Sequence, residues 1–216
     1  MSRVLKVTGK GDFKVRPDMT RVAMTIEGVH KNYAHSLELC EKSTEELLAV
    51  VRGLGFERRD LKTVSFDIQV GYENYKDFDG EWKSRFKGYE FRHVMKIEFE
   101  SDNHLLGRLL NGLAGIPTKP EFTISYFVKD NEGAKNKLLG RAVEDAKQKA
   151  EILASSAGVK LKQIQSIDYS WSEVRFERNL NNSDFSTGCT GFPVELDIEP
   201  DDIELSDTVT VVWEIE

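Results

Sequence analysis

An α+β fold, in which helices cover one face of antiparallel-rich sheets, follows from three observations on this chain. Apolar residues at period two occur in neighbouring pairs of runs separated by turn residues, as hairpins require. Three longer stretches space their apolar residues for helices instead. The two patterns interleave as β-β-α-β-β-α-β-α-β-β, which mixes hairpins with crossover helices rather than alternating strand and helix throughout. With 216 residues the chain is long enough to bury such two-layer cores without staples.

Residues 3–29 read as two strands, because Val4, Val7, Phe13 and Val15, then Val22, Met24 and Ile26, fall near period two. Arg16-Pro17-Asp18 breaks them, and Gly9-Lys10-Gly11-Asp12 reads as a bend or bulge rather than a phosphate cradle, since no helix follows it. A helix then runs from an Asn32 cap to Leu54, where Gly55 ends it. Its inward stripe is Tyr33, Leu37, Cys40, Thr44, Leu47, Val51 and Leu54, so Cys40 packs as a small hydrophobe.

A long hairpin follows, with Asp79-Gly80 suited to a two-residue turn. That turn pairs Val64 with Met95, Phe66 with His93, Ile68 with Phe91 and Val70 with Tyr89 on an apolar face. It also sets Asp67 against Arg92 and Gly71 against Gly88, and a bulge at the glycines would shift only the outer part. Beyond them Tyr72, Tyr75, Phe78, Trp82 and Phe86 stand among charges. That is more aromatic surface than a solvated arm needs, and these five residues are the candidate interface.

Asp102 or Asn103 opens a short helix carrying Leu105, Leu106, Leu109, Leu110 and Leu113, closed by Gly115-Ile116-Pro117. Phe122, Ile124, Tyr126 and Val128 alternate as a strand. The longest helix starts after Asp130 or Asn131 and ends at Gly158, with Ala134, Leu138, Ala142, Ala146, Leu153 and Ala157 near one face. A strand over 164–176 and a closing strand that buries Val209, Val211, Trp213 and Ile215 complete the order. Between them, residues 179–200 form a polar excursion, read as mobile or ordered by a partner.

Composition narrows the function. Against 37 Asp and Glu stand 30 Lys and Arg, a net charge of -7, which argues against nucleic acid as a partner. No apolar run spans a membrane, and the first residues carry charges where a secretory signal would be apolar, so a cytoplasmic location is expected. Cys40 and Cys189 do not make a disulfide framework or a zinc pattern; Cys189 is the candidate redox thiol because it lies in the polar excursion. His30 and His35 are close in sequence but form no metal signature, and no HExxH, GxSxG or GxxxxGK[ST] motif is present. No catalytic, metal or cofactor-binding residue is assigned, and no cofactor is expected.

Read in order, the chain resembles the SIMPL-domain family, which takes in bacterial periplasmic proteins and a mammalian protein associated with a pelle-like kinase. The likeness rests on Val7-Thr8-Gly9-Lys10-Gly11 with Pro17-Asp18, and on Gly55-Phe56 followed by Asp60-Leu61-Lys62-Thr63. It rests above all on Arg141-Ala142-Val143-Glu144-Asp145-Ala146-Lys147-Gln148-Lys149-Ala150, continuing to Ala154 with Gly158, and it ends in the closing strand after Pro200. Asp201 departs from the glycine common after that proline. The resemblance implies an α+β fold in two small parts, large ring or channel-like oligomers and a loose link to stress defence or signalling, and it supplies no catalytic residues.

The expectation is one unit of two intertwined subdomains. One would comprise about residues 1–60 with 131–216, and about 61–130 would be inserted; the β-α-β-β-α-β order from 19 to 129 equally spells a ferredoxin-like plait. The expected function is that of a non-enzymatic protein that forms homo-oligomers and has a possible further protein partner. The alternative is a small-molecule binder or unrecognised enzyme with a pocket between sheet and helices.

Overall fold

A computed structural model describes residues 3–169, 176–179 and 199–216. Its strands are β1 (Arg3–Val15), β2 (Met19–His30), β3 (Lys62–Lys76), β4 (Trp82–Glu100), β5 (Glu121–Phe127), β6 (Leu161–Asp168), a short β7 (Glu177–Asn179) and β8 (Ile203–Ile215). The helices are α1 (Tyr33–Gly53), α2 (Asn103–Gly115) and α3 (Asn131–Ala157), with one 3-10 turn at Arg58–Asp60. The fold is α+β, as the pattern requires. The expected strand over 164–176 is β6, which starts and ends earlier, and residues 170–175 and 180–198 lie outside the described residues, Cys189 with them.

The chain divides into two compact units. The first comprises Met1–Asp18, Phe127–Arg178 and Pro200–Glu216. Its sheet has the order β1-β8-β6, and β1 pairs with β8 without interruption from Arg3↔Ile215 to Val15↔Ile203. No bend or bulge occurs at Gly9 or Gly11. The glycines are there because α3 lies directly on β1: a Cβ on Gly9 would sit 2.0 Å from the Ala142 carbonyl oxygen, and one on Gly11 2.2 Å from that of Leu138. Every fourth residue of α3, Leu138, Ala142, Ala146, Ala150 and Ala154, is buried. Leu153, expected on this stripe, is exposed instead, because the four-residue ridge runs on through Ala150 and Ala154. Two α3 side chains also reach the outer edge of β1. Asp145 accepts a hydrogen bond from the Lys10 N–H at 2.7 Å, and Arg141 donates one to the Asp12 carbonyl at 2.8 Å. Gly158, at φ 70°, then ends the helix in the left-handed region.

The second unit comprises Met19–Tyr126 and Asn179–Glu199. The second sheet has the order β3-β4-β2-β5-β7, and α1 and α2 lie against it. Val22, Met24 and Ile26 of β2 meet Met95, Ile97 and Phe91 of β4, and Leu47, Val51, Leu106, Leu109 and Leu113 of the helices close the core over them. Asn32 caps α1 by accepting from the Ala34 and His35 amides, and Asp102 caps α2 in the same way through His104 and Leu105.

The hairpin β3–β4 keeps the expected register from Phe66↔His93 through Asp67↔Arg92 to Gly71↔Gly88. Val64 does not face Met95, because a bulge between Thr63 and Ser65 puts Thr63 there. A second irregularity at the glycines shifts the outer arm to Tyr72↔Phe86 and Lys76↔Trp82. One extra residue on β4 therefore leaves an odd number of residues at the tip. The two-residue turn gives way to a longer one: the Gly80 amide donates to the Asp77 carbonyl, and Gly80 takes φ 81°.

Candidate functional site

Helix α1 packs on β2 and β4 but does not extend over β3. Two features of the second unit result. Along β3 the core-side face stays partly open, with Phe66 and Val70 exposed and Phe66 lining a pocket with Leu37 of α1. Tyr33 and Leu37, expected inside the helix stripe, are exposed, and Ser36 is buried in their place, its hydroxyl donating to the Tyr89 carbonyl at 2.8 Å. Further out, the arm carries the aromatic residues singled out in the sequence.

All five are exposed, Tyr72 at 65% and Trp82 at 70%. They do not share one face. The register puts Tyr72, Trp82 and Phe86 on the side that continues the helix-covered face, and the extra β4 residue lets Phe86 and Tyr89 stay on that side together. Tyr72, Phe86, Tyr89 and Tyr33 form a chain of edge-to-face contacts with ring centres 6.5, 5.6 and 5.3 Å apart. Tyr75 faces the other way under Arg85, Phe78 sits at the tip, and Lys76 covers one face of Trp82 at 5.3 Å. Ion pairs Lys83–Asp77 and Arg85–Glu73 hold the two strands of the arm together.

Where α1 leaves β3 uncovered, a pocket of about 350 Å³ opens. Leu37, Leu48 and Phe66 line it together with Cys40, Thr44, Thr63 and His93 and with the charged Glu41, Glu45 and Arg58; Cys40 is buried, His93 and Thr44 are half-buried and Thr63 is exposed. The hydrogen bonds fix the state of the imidazole. Thr44 donates its hydroxyl proton to the Cys40 carbonyl at 2.8 Å, so its oxygen accepts from His93 Nδ1–H at 3.3 Å. Nε2 then accepts from the Thr63 hydroxyl at 2.9 Å. Cys40 Sγ lies 3.8 Å from Nδ1. Burial holds His93 below the ordinary histidine range and pushes the Cys40 thiol up, so both groups are neutral at neutral pH. This is the opposite of an activated thiolate and its imidazolium.

Sequence reasoning missed this pair, although it placed both members. Cys40 was on the inward stripe of α1 and His93 on the core face of β4, and a histidine on a core face needs a partner. His30 and His35 do approach, with ring centres 5.0 Å apart, but Nδ1 of His30 accepts from the Asn32 amide. Among the described residues no group of three or more His, Cys, Asp or Glu could hold a metal, and no helix is long and apolar enough to cross a membrane. The Cys189 redox reading falls outside the described residues.

A family model described as SIMPL, protein of unknown function (DUF541), matches residues 5–213. The chain is 26% identical over 164 residues to the 26 kDa periplasmic immunogenic protein of Brucella abortus, covering 76% of this chain and 65% of that protein. It is 25% identical over the same length to the protein of that name from Brucella melitensis, with the same coverage. The chain thus spans somewhat less than two thirds of these relatives. Their names overturn the cytoplasmic expectation. That expectation rested on the charges among the first residues, which belong to strand β1 and carry no information about export.

Proposed function

The chain belongs to the SIMPL family, and from that premise we propose that it works by self-association through the β3–β4 arm, in the periplasm, with no catalytic chemistry of its own. The observation that carries this reading is the continuous aromatic side of the arm, Tyr72, Trp82 and Phe86, exposed on a hairpin whose β3 strand is an edge of its sheet among the described residues. An edge strand offers unpaired backbone groups and the aromatics offer apolar area, which together suit a second copy of the same hairpin. The location follows the names of the Brucella relatives. The non-catalytic part is supported by the neutral states of Cys40 and His93 in the pocket between α1 and β3.

Light scattering on the full chain tests the proposal. The expected result is a concentration-dependent rise in mass, abolished by Trp82→Ser with Phe86→Ser while the circular dichroism spectrum is unchanged. A monomer at every concentration, or an assembly indifferent to both substitutions, overturns it.

A further inference from the structure

The pocket that α1 leaves over β3 is not part of the aromatic arm, since none of Tyr72, Tyr75, Phe78, Trp82 and Phe86 lines it. Its polar groups sort into two kinds. The neutral ones satisfy one another: His93 bonds to Thr44 through Nδ1 at 3.3 Å and to Thr63 through Nε2 at 2.9 Å, and Thr44 donates to the Cys40 carbonyl. The charged ones do not. Among the described residues the side chains of Glu41, Glu45 and Arg58, which line the same pocket, have no hydrogen-bonding or ion-pair partner. We propose that this pocket binds a small organic cation, in which one ammonium group is carried by an apolar or aromatic body.

The helix arranges the two halves of such a site. Residues four apart stack on one side of a helix, so Cys40, Thr44 and Leu48 form one row on α1, and Leu37, Glu41 and Glu45 form the row beside it. The first row is buried or half-buried and the second is exposed. Leu48, the neutral Cys40 thiol, Leu37 and Phe66 of β3 therefore offer apolar contact, and the two carboxylates follow Leu37 along the outer row. With both His93 nitrogens taken up by threonine hydroxyls, the inner lining asks for no polar group on the ligand. A volume of about 350 Å³ lies at the small end of ligand sites, about 300–1,000 Å³. That is room for a ring with a short chain, and too little for a helix or a folded partner.

Charge sets the sign of the ligand. Glu41 and Glu45 stand one helical turn apart, where like charges repel, and no cation of the described chain relieves them. An ammonium between them turns that repulsion into two charge-assisted hydrogen bonds. An anion would meet two carboxylates for the single Arg58, and a neutral ligand would leave both carboxylates as they are.

The test is isothermal titration calorimetry of the full chain at low salt, with phenethylamine as the probe. The expected result is a single saturable equivalent, bound more weakly as sodium chloride is raised. Phenethyl alcohol, the same body without the charge, binds roughly fivefold more weakly. Ethylamine, the same charge without the ring, binds roughly thirtyfold more weakly. Phenylalanine, which adds a carboxylate to the probe, also binds more weakly than the amine. Glu41→Gln with Glu45→Gln removes the preference for amine over alcohol, and Trp82→Ser with Phe86→Ser leaves binding unchanged. The proposal is overturned if the amine does not bind at millimolar concentration, or if the alcohol, ethylamine or phenylalanine matches or exceeds it. It is equally overturned if the double glutamine variant keeps the preference, or if the arm substitutions abolish binding. Should a variant fail to fold by circular dichroism, the four ligands on the unsubstituted chain decide alone.

Discussion

Single side chains in this protein are constrained most sharply where backbone meets backbone. At Gly9 any Cβ would lie 2.0 Å from the Ala142 carbonyl oxygen and 2.4 Å from the Ala146 amide, both on the rigid spine of α3. Gly9→Ala is therefore expected to cost about 3 kcal/mol or more, by forcing helix and strand apart. Gly140, exposed on the same helix with nothing near its missing Cβ, serves as the control. Gly140→Ala should stabilise by about 1 kcal/mol through helix propensity. Urea midpoints of the two variants check both signs. His93 gives a pH prediction at the same level. Its pKa in the folded chain is depressed by burial, so below about pH 6.5 the unfolded chain binds a proton that the folded chain refuses. The stabilisation is complete above that value and is lost as pH falls through the folded pKa. Denaturant midpoints at pH 8 and pH 5 should draw closer together in His93→Gln than in the parent.

At the level of elements, α3 does two jobs for β1: its alanine ridge accepts the glycine side of the strand, and its polar flank closes the strand's outer edge. Asp145, whose carboxyl is held below the usual range by Lys149 and by the Lys10 amide, is the part of this closure most open to test. Asp145→Ala should leave the Lys10 N–H to water and speed hydrogen exchange at Lys10 while Val7 and Val211 stay protected. The sequence stretch 141–150 that carried the family resemblance thus has a structural meaning, in which Arg141, Ala142, Asp145, Ala146 and Ala150 each touch the sheet. The register at the base of the hairpin was legible because three independent pairs, Phe66–His93, Asp67–Arg92 and Gly71–Gly88, agree on it. The bulge beside Val64 was not, since no glycine or charge there distinguishes it from a regular pair. Nor was the form of the turn, which depends on one residue, Lys87, absorbed eight positions away from Asp79. The Cys40–His93 pair needed the helix placed on the sheet to within a few ångströms, which hydrophobic periodicity on α1 alone does not give.

For the molecule as a whole, each unit holds its own core: one is built from β2, β4, β5, α1 and α2, the other from β1, β8 and α3. The outer arm lies in the second unit but contributes no residue to either core. Replacing residues 73–85 by an Asn-Gly turn should therefore leave the unfolding midpoint of the dilute protein unchanged while removing concentration-dependent assembly, an outcome read by calorimetry and light scattering together. The two cores also differ in kind. Helix α1 and helix α2 bury leucines and valines, whereas α3 meets its sheet almost entirely through methyl groups of alanine. The apolar bulk of that contact comes from the strands instead, where Val7, Val209, Val211 and Trp213 lie in the core with the alanines. Detaching α3 would therefore wet the sheet face more than the helix, and its heat-capacity increase would be set by the side chains of β1 and β8.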